Sequence, residues 1–248
     1  MSEPQTKSNA GLTFLGIFLA IGFICSSLIL SNTFKTVKLS NQAITVKGYA
    51  EKRITSDLAA WSGEFSTSSK NLVGAYQKLQ GDLVKVLNYL QGMGLKKEYV
   101  QVSSVNTMKR FRLNDKGIST NELEGFTLGQ TIKISSSDVK LIEKISNEAT
   151  DLIKEGVEFI SLSPQYFYTK INDLKIEMLG AASKDARARA DQLAKNSGGE
   201  VGSLKSSSQG VFQITPVNST EIADYGMYDL TSIEKVIKSV VTVDYTIR

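Results

Sequence analysis

From Ser8 to Phe34 the chain carries no charged residue. Inside that run, Gly11 to Ser31 (GLTFLGIFLAIGFICSSLILS) has the length a helix needs to cross a bilayer, about 20 apolar residues. No other feature constrains the fold as much, because in lipid every backbone N–H and C=O must be bonded within the segment. A cleaved secretion signal fits less well. Its apolar region is normally about 7–15 residues long, and Ile29-Leu30-Ser31 makes a poor cleavage site. Phe23-Ile24-Cys25 departs from a lipidation site, since Ile24 stands where a small residue is expected. The expected organisation is a short tail (1–10), an uncleaved transmembrane anchor (11–31), a polar linker (32–42) and a folded domain (43–248). Lys7 and Glu3 before the span, and Lys35 and Lys38 after it, give too little bias to orient it by the positive-inside rule.

Two absences narrow the chemistry. The 248 residues include no histidine, so a Ser-His-Asp triad, a Cys-His pair and the usual zinc sites are ruled out. The single cysteine, Cys25, lies in the apolar segment, which rules out an intramolecular disulfide and a CxxC pair. A net charge of +4 is spread over both signs, unlike the concentrated charge of nucleic-acid binders. The densest basic cluster, Lys109-Arg110-Phe111-Arg112, alternates faces if it lies on a strand and reads as a solvated, guarded edge. No nucleic-acid partner is expected.

Beyond the span, apolar spacing alternates between two periods. Ala43 to Gly48 and Leu58 to Ser68 alternate as strands, with Ala59, Trp61 and Phe65 on one face of the second. Trp61 could be a ligand platform, but on an alternating strand a core position is the better reading. Leu72, Tyr76, Leu79, Leu83, Val86 and Leu90 step by three and four, a helix ended by Gly92-Met93-Gly94. Tyr99 to Arg112 and Gly125 to Ser135 read as long strands around a turn at Asn114–Gly117, with Ile118 to Glu124 as a loose hairpin tip. Asp138 caps a second helix, and Val157 to Thr169 follows it as a strand. A third helix runs from Asp173 to Asn196, and Val201 to Ile214 and Lys235 to Ile247 supply the last strands. The expected class is α+β, with repeated strand–helix–strand units and helices packed on a largely antiparallel sheet.

The connection between the last two strands, GVFQITPVNSTEIADYGMYDLTSIEK (Gly210 to Lys235), collects turn formers, carboxylates and tyrosines. Asn218, Glu221, Asp224, Tyr225, Tyr228 and Asp229 form a candidate interaction loop. Three readings compete for it: a self-association surface, the rim of a small-molecule or peptide site, and an ordered connector. The loop lacks the alternating Asp/Asn ladder and closing Glu of a calcium loop. Gly198-Gly199 and Gly202 follow a helix, whereas a phosphate-cradling loop precedes one. No catalytic, cofactor or metal residue is assigned.

The third helix, AASKDARARADQLAKNSGGEVG (Ala181 to Gly202), places Ala182, Ala186, Ala190 and Ala194 on one narrow ridge, with Asp185 and Arg189 able to pair beside it. Together with ITVKGYAEKRITSD (Ile44 to Asp57), EGFTLGQTIKIS (Glu124 to Ser135), GVEFISLSPQYFY (Gly156 to Tyr168) and VVTVDYTI (Val240 to Ile247), it resembles the SIMPL-domain family of YggE-like envelope proteins, in a membrane-anchored subset. Ser56 stands where that pattern usually has proline. The resemblance implies a non-catalytic domain held at the inner membrane by one span, with the C-terminal part in the periplasm. It also implies a homo-oligomeric scaffold or interaction module associated with envelope stress. It supplies no catalytic residues and no cofactor.

Overall fold

The computed structural model describes residues 10–40 and 43–247. Most of the expected tail, and residues 41–42 of the expected linker, lie outside them. The helices are α1 (Ala10–Ser40), α2 (Leu72–Gly92), α3 (Val139–Glu148) and α4 (Ile171–Asn196). The strands are β1 (Ala43–Thr55), β2 (Leu58–Ser69), β3 (Val100–Val102), β4 (Asn106–Leu113), β5 (Ser119–Ser136), β6 (Glu158–Ser161), β7 (Gln165–Phe167), β8 (Val201–Gln209), β9 (Gln213–Pro216), β10 (Met227–Tyr228) and β11 (Glu234–Ile247). The class is α+β: in the second unit below β2 pairs antiparallel with β5, β6 and β7, β5 with β3 and β4, and β9 with β11, while β10 joins β9 in parallel.

Within α1, Phe14–Thr33 has a mean hydropathy of 2.4 and buries nothing. Phe14, Phe18, Ile21, Leu28 and Leu30 are all exposed, so the helix is apolar on every side rather than along one stripe. The Thr33 hydroxyl donates back to Ile29 O (2.8 Å), which satisfies that polar side chain within the helix. Among the described residues it is the one helix long and apolar enough to cross a membrane. The helical backbone continues to Ser40, through most of the stretch read as a polar connection.

The chain divides into two compact units. In the first (1–50, 179–210, 240–248), β8 runs antiparallel to Val241–Ile247 of β11, and the alanine ridge of α4 packs with Val46, Val241, Val243 and Tyr245. Ala182, Ala186 and Ala190 are fully buried there. Their small side chains let backbone approach backbone: a Cβ on Gly48 of β1 would stand 2.0 Å from Ala182 O and 2.6 Å from Ala186 N. The next residue, Tyr49, donates its N–H to Asp185 Oδ2 (2.8 Å), and Arg189 Nε donates to the same oxygen (2.7 Å). These bonds hold the Asp185 carboxyl below its ordinary range, the Tyr49 N–H foremost. The glycine of one quoted motif and the alanines and aspartate of another are thus two sides of one contact. Arg187 closes the far end of the ridge, donating to Gly202 O and Val201 O with its guanidinium 5.0 Å from the Tyr245 ring.

The second unit (51–178, 211–239) holds a sheet ordered β3-β5-β2-β6, with β4 extending the β5 edge and β7 pairing with β2. Trp61 and Phe65 of β2 lie in its core with Leu79, Val86 and Leu90 of α2, Ile132 and Ile134 of β5, and Ile142 and Ile145 of α3. Each fully buried side chain of this size contributes about 1.5–3 kcal/mol. The indole N–H of Trp61 donates to the Ser161 hydroxyl (3.1 Å), which donates on to Ser146 O (2.7 Å). Asn71 and Asp138 cap α2 and α3 by accepting the N–H groups of Val73 and Leu141. Ser56 donates its N–H to Ile233 O (2.9 Å), a bond that proline at this position would forfeit. On the solvent side of α2, a Cβ at Gly81 would meet nothing within 4 Å. Gly81→Ala should therefore raise stability by about 0.5–1 kcal/mol, read as a higher melting temperature.

Several sequence boundaries need correction. Ile118 to Glu124 is no loose tip, because β5 begins at Ser119. The turn closes tightly: Asn114 Oδ1 accepts the N–H groups of Lys116 and Ile118, and Gly117 takes φ +75°. Beyond it Arg112–Glu122 (2.9 Å) and Arg110–Glu124 (3.3 Å) pair across an exposed hairpin, with the basic cluster on the edge strand. The strand read from Tyr99 is broken where the Ser103 hydroxyl, in place of a carbonyl, accepts the Thr131 N–H. The strand read from Val157 to Thr169 is split into β6 and β7 around Pro164, which has no N–H for the ladder. Val201 to Ile214 is likewise two strands, β8 and β9, separated at Gly210. Helix α4 starts at Ile171, two residues earlier than the sequence suggests.

Candidate functional site, an ordered strap with an exposed tip

Residues 217–233 leave β9 and return to β11 as a strap whose backbone is bonded at its start, middle and end. At its start, Ser219 N–H donates to Pro216 O (3.1 Å), and Asn218 takes φ +68°, a left-handed conformation that Asn tolerates better than most residues. Lys238 Nζ reaches from β11 to Ser219 O (2.9 Å). In the middle, the side chain of Gln213 holds Ala223 by both backbone groups, donating to its carbonyl (2.7 Å) and accepting its N–H (3.4 Å). A turn follows, closed by Gly226 N–H on Ala223 O (3.0 Å), with Gly226 at φ +87°. Met227 and Tyr228 then add the short parallel strand β10 to β9.

The last staple is a buried lysine. Lys235 is 1% exposed, and its ammonium donates to Tyr166 O (2.6 Å) and to Asp229 O. It also lies 5.7 Å from the centre of the Tyr228 ring. Burial pushes its pKa down against the opposing pull of the Asp229 carboxylate. Burial would raise the pKa of Asp229 in turn. The Thr231 N–H and hydroxyl, the Ser232 hydroxyl and the Lys235 charge outweigh that effect and hold it below its ordinary range. Thr231 donates both its groups to Asp229 Oδ1, at 2.8 and 2.7 Å.

The six candidate residues therefore separate into two groups. Tyr228 and Asp229 are brought together around Lys235 and serve the strap's own anchorage. Asn218, at the strap's start, and Glu221, Asp224 and Tyr225, at its tip, are exposed. Tyr225 is 91% exposed and Ile222, which the sequence reading passed over, is 81% exposed. Among the described residues no group of three or more His, Cys, Asp or Glu side chains could hold a metal ion. Sequence reasoning also missed the three staples, Gln213, Lys235 and Lys238. The available signal was a lysine set inside the strongly apolar run that opens β11.

The SIMPL family model, described as a protein of unknown function (DUF541), matches residues 44–245, which takes in every strand and helix after α1 apart from the outermost strand residues. The chain belongs to the SIMPL family. No curated protein sequence matches it. For this SIMPL protein, then, membership brings no assigned substrate or reaction, and an account of what the chain does has to come from its own geometry.

Proposed function

We propose that this SIMPL protein is a non-catalytic interaction module of the cell envelope. It is held in the cytoplasmic membrane by α1, carries its folded part in the periplasm, and self-associates through the tip of the strap. The observation that carries this reading is Ile222 and Tyr225, both fully presented to solvent on backbone that three side-chain staples hold still. A pre-ordered apolar tip loses little conformational entropy on docking, and tyrosine supplies large contact area with few rotatable bonds. Of the strap's carboxylates, Asp229 is committed to its own turn, and Glu221 and Asp224 stand in solvent as the polar rim such a contact needs.

Deleting Val217 to Ser232 would strip Lys235 and Gln213 of their partners and damage the fold. The double substitution Ile222→Ser with Tyr225→Ser removes the apolar tip and leaves every staple in place. Light scattering of the full-length protein in mild detergent should show the assembly weakened at least tenfold, with an unchanged melting temperature. An unchanged assembly would make the strap a connector and place self-association elsewhere.

A further inference from the structure

The exposed flank of a surface helix is normally polar and charged. From Val86 to Leu95, across the last turns of α2 and the link that follows, the sequence has no charged residue. Beside that stretch, Leu87 and Leu90 of α2, with Leu95 of the link and Val100 of β3, wall a groove of about 190 Å³. Its bottom is apolar, because Leu90 and Leu95 belong to the core of the second unit. At its mouth stand Val84, which is 56% exposed, the Asn88 amide and Lys97. Lys96 and Glu98 pair with each other (3.9 Å), whereas Lys97 between them has no ion pair among the described residues.

These properties define what fits. The volume lies below the about 300–1,000 Å³ of small-molecule sites and suits a single aliphatic side chain. The apolar bottom excludes a charged group. The Lys97 ammonium favours an occupant that carries carboxylates beside its apolar anchor. The strap tip combines these features: Ile222 and Tyr225 are exposed, and they alternate with Glu221 and Asp224, whose carboxylates have no ion pair among the described residues. By contrast, the hollow on the open face of the β2–β5 sheet is lined by Glu64 and Glu158, charges of the tip's own sign.

We propose that this groove receives the strap tip of a second copy, which gives the self-association proposed above its receiving surface and rests on that reading. Ile222 fills the apolar bottom, Tyr225 covers Val84 with its hydroxyl paired to the Asn88 amide, and Glu221 and Asp224 face Lys97. The tip does not fill the groove of its own chain: it stands in solvent, and Gln213 and Lys238 hold the strap to β9 and β11. Each copy gives one tip and receives another, so the contact is made twice across a two-fold dimer or runs head-to-tail around a ring.

The test is a mixing experiment on the full-length protein in mild detergent, read by native mass spectrometry. The tip variant carries Ile222→Ser and Tyr225→Ser, and the groove variant carries Val84→Glu and Lys97→Glu. All four side chains are exposed, so both variants should keep the melting temperature of the unaltered chain. Each variant alone should assemble at least tenfold more weakly. An equimolar mixture should form heterodimers, because the groove variant keeps its tip and the tip variant keeps its groove. Adding Glu221→Lys and Asp224→Lys to the groove variant should restore assembly by reversing both charges. If the groove variant melts lower, this charge-reversed chain decides alone, since a damaged fold would not regain assembly. A groove variant that assembles like the unaltered chain overturns the groove as receiver and leaves the strap reading standing. A tip variant that does so overturns both. The proposal is also overturned if the mixture stays monomeric or if charge reversal restores nothing.

Discussion

Gly48→Ala should lower the melting temperature of the full-length protein by about 6–12 °C, the equivalent of roughly 3 kcal/mol in a chain of this size. The added Cβ would stand 2.0 Å from Ala182 O and 2.6 Å from Ala186 N, positions that only backbone movement could relieve. Moving β1 away would also break the Tyr49 N–H bond to Asp185 and open the alanine ridge, so the loss would extend through the first unit. Gly81→Ala provides the internal comparison: the same substitution, in a position with no neighbour to strike, should shift the melt the other way. Thermal melts by circular dichroism of the two variants side by side check the pair. Equal melting temperatures would mean that the close approach of β1 to α4 is not what holds this unit.

Lys235→Ala should cost about 3–4 kcal/mol, because it leaves a cavity and removes the donors of Tyr166 O and Asp229 O together. Lys235→Met keeps most of the volume and removes the buried charge, so about 1–2 kcal/mol is expected from the lost hydrogen bonds. The pH dependence separates the charge from the packing. Folding lowers the pKa of Lys235 from its ordinary 10.5, so the unfolded chain holds that proton more firmly. Between the folded value and 10.5 the unfolded state binds more protons, and stability contributed by this residue rises with pH. The unaltered protein should therefore gain on Lys235→Met as pH climbs through that window, in denaturant melts at neutral and alkaline pH. A constant difference would show that the ammonium is not buried at a cost. Because Lys235 holds Asp229, both variants should also loosen the strap and weaken assembly.

Periodic features were legible in the sequence because they follow from local geometry. The α2 stripe, the inward face of β2 with Trp61, the Asp138 cap, the alanine ridge and the Asp185–Arg189 pair all stand where spacing puts them. The strand breaks were not legible, because they depend on where the ladder partner stops. Ser103 ends its pairing by offering a hydroxyl to Thr131, a residue 28 positions away. The strap divides the same way. Its turn chemistry at Asn218 and Gly226 could be read locally, whereas its anchorage could not: Lys235 finds Tyr166 across 69 positions. Tyr228 and Asp229 looked like site residues for the reason that makes them structural, a polar and aromatic pair beside a lysine. Ile222 drew no notice because a lone isoleucine in a loop carries no signal until its exposure is known.

The most direct test of the central claim is native mass spectrometry of the full-length protein released from mild detergent, with the Ile222→Ser, Tyr225→Ser variant run beside it. The account predicts one discrete oligomer for the unaltered chain and a shift to monomer for the variant. A bare monomer in both, or the same oligomer in both, would contradict assembly through the strap.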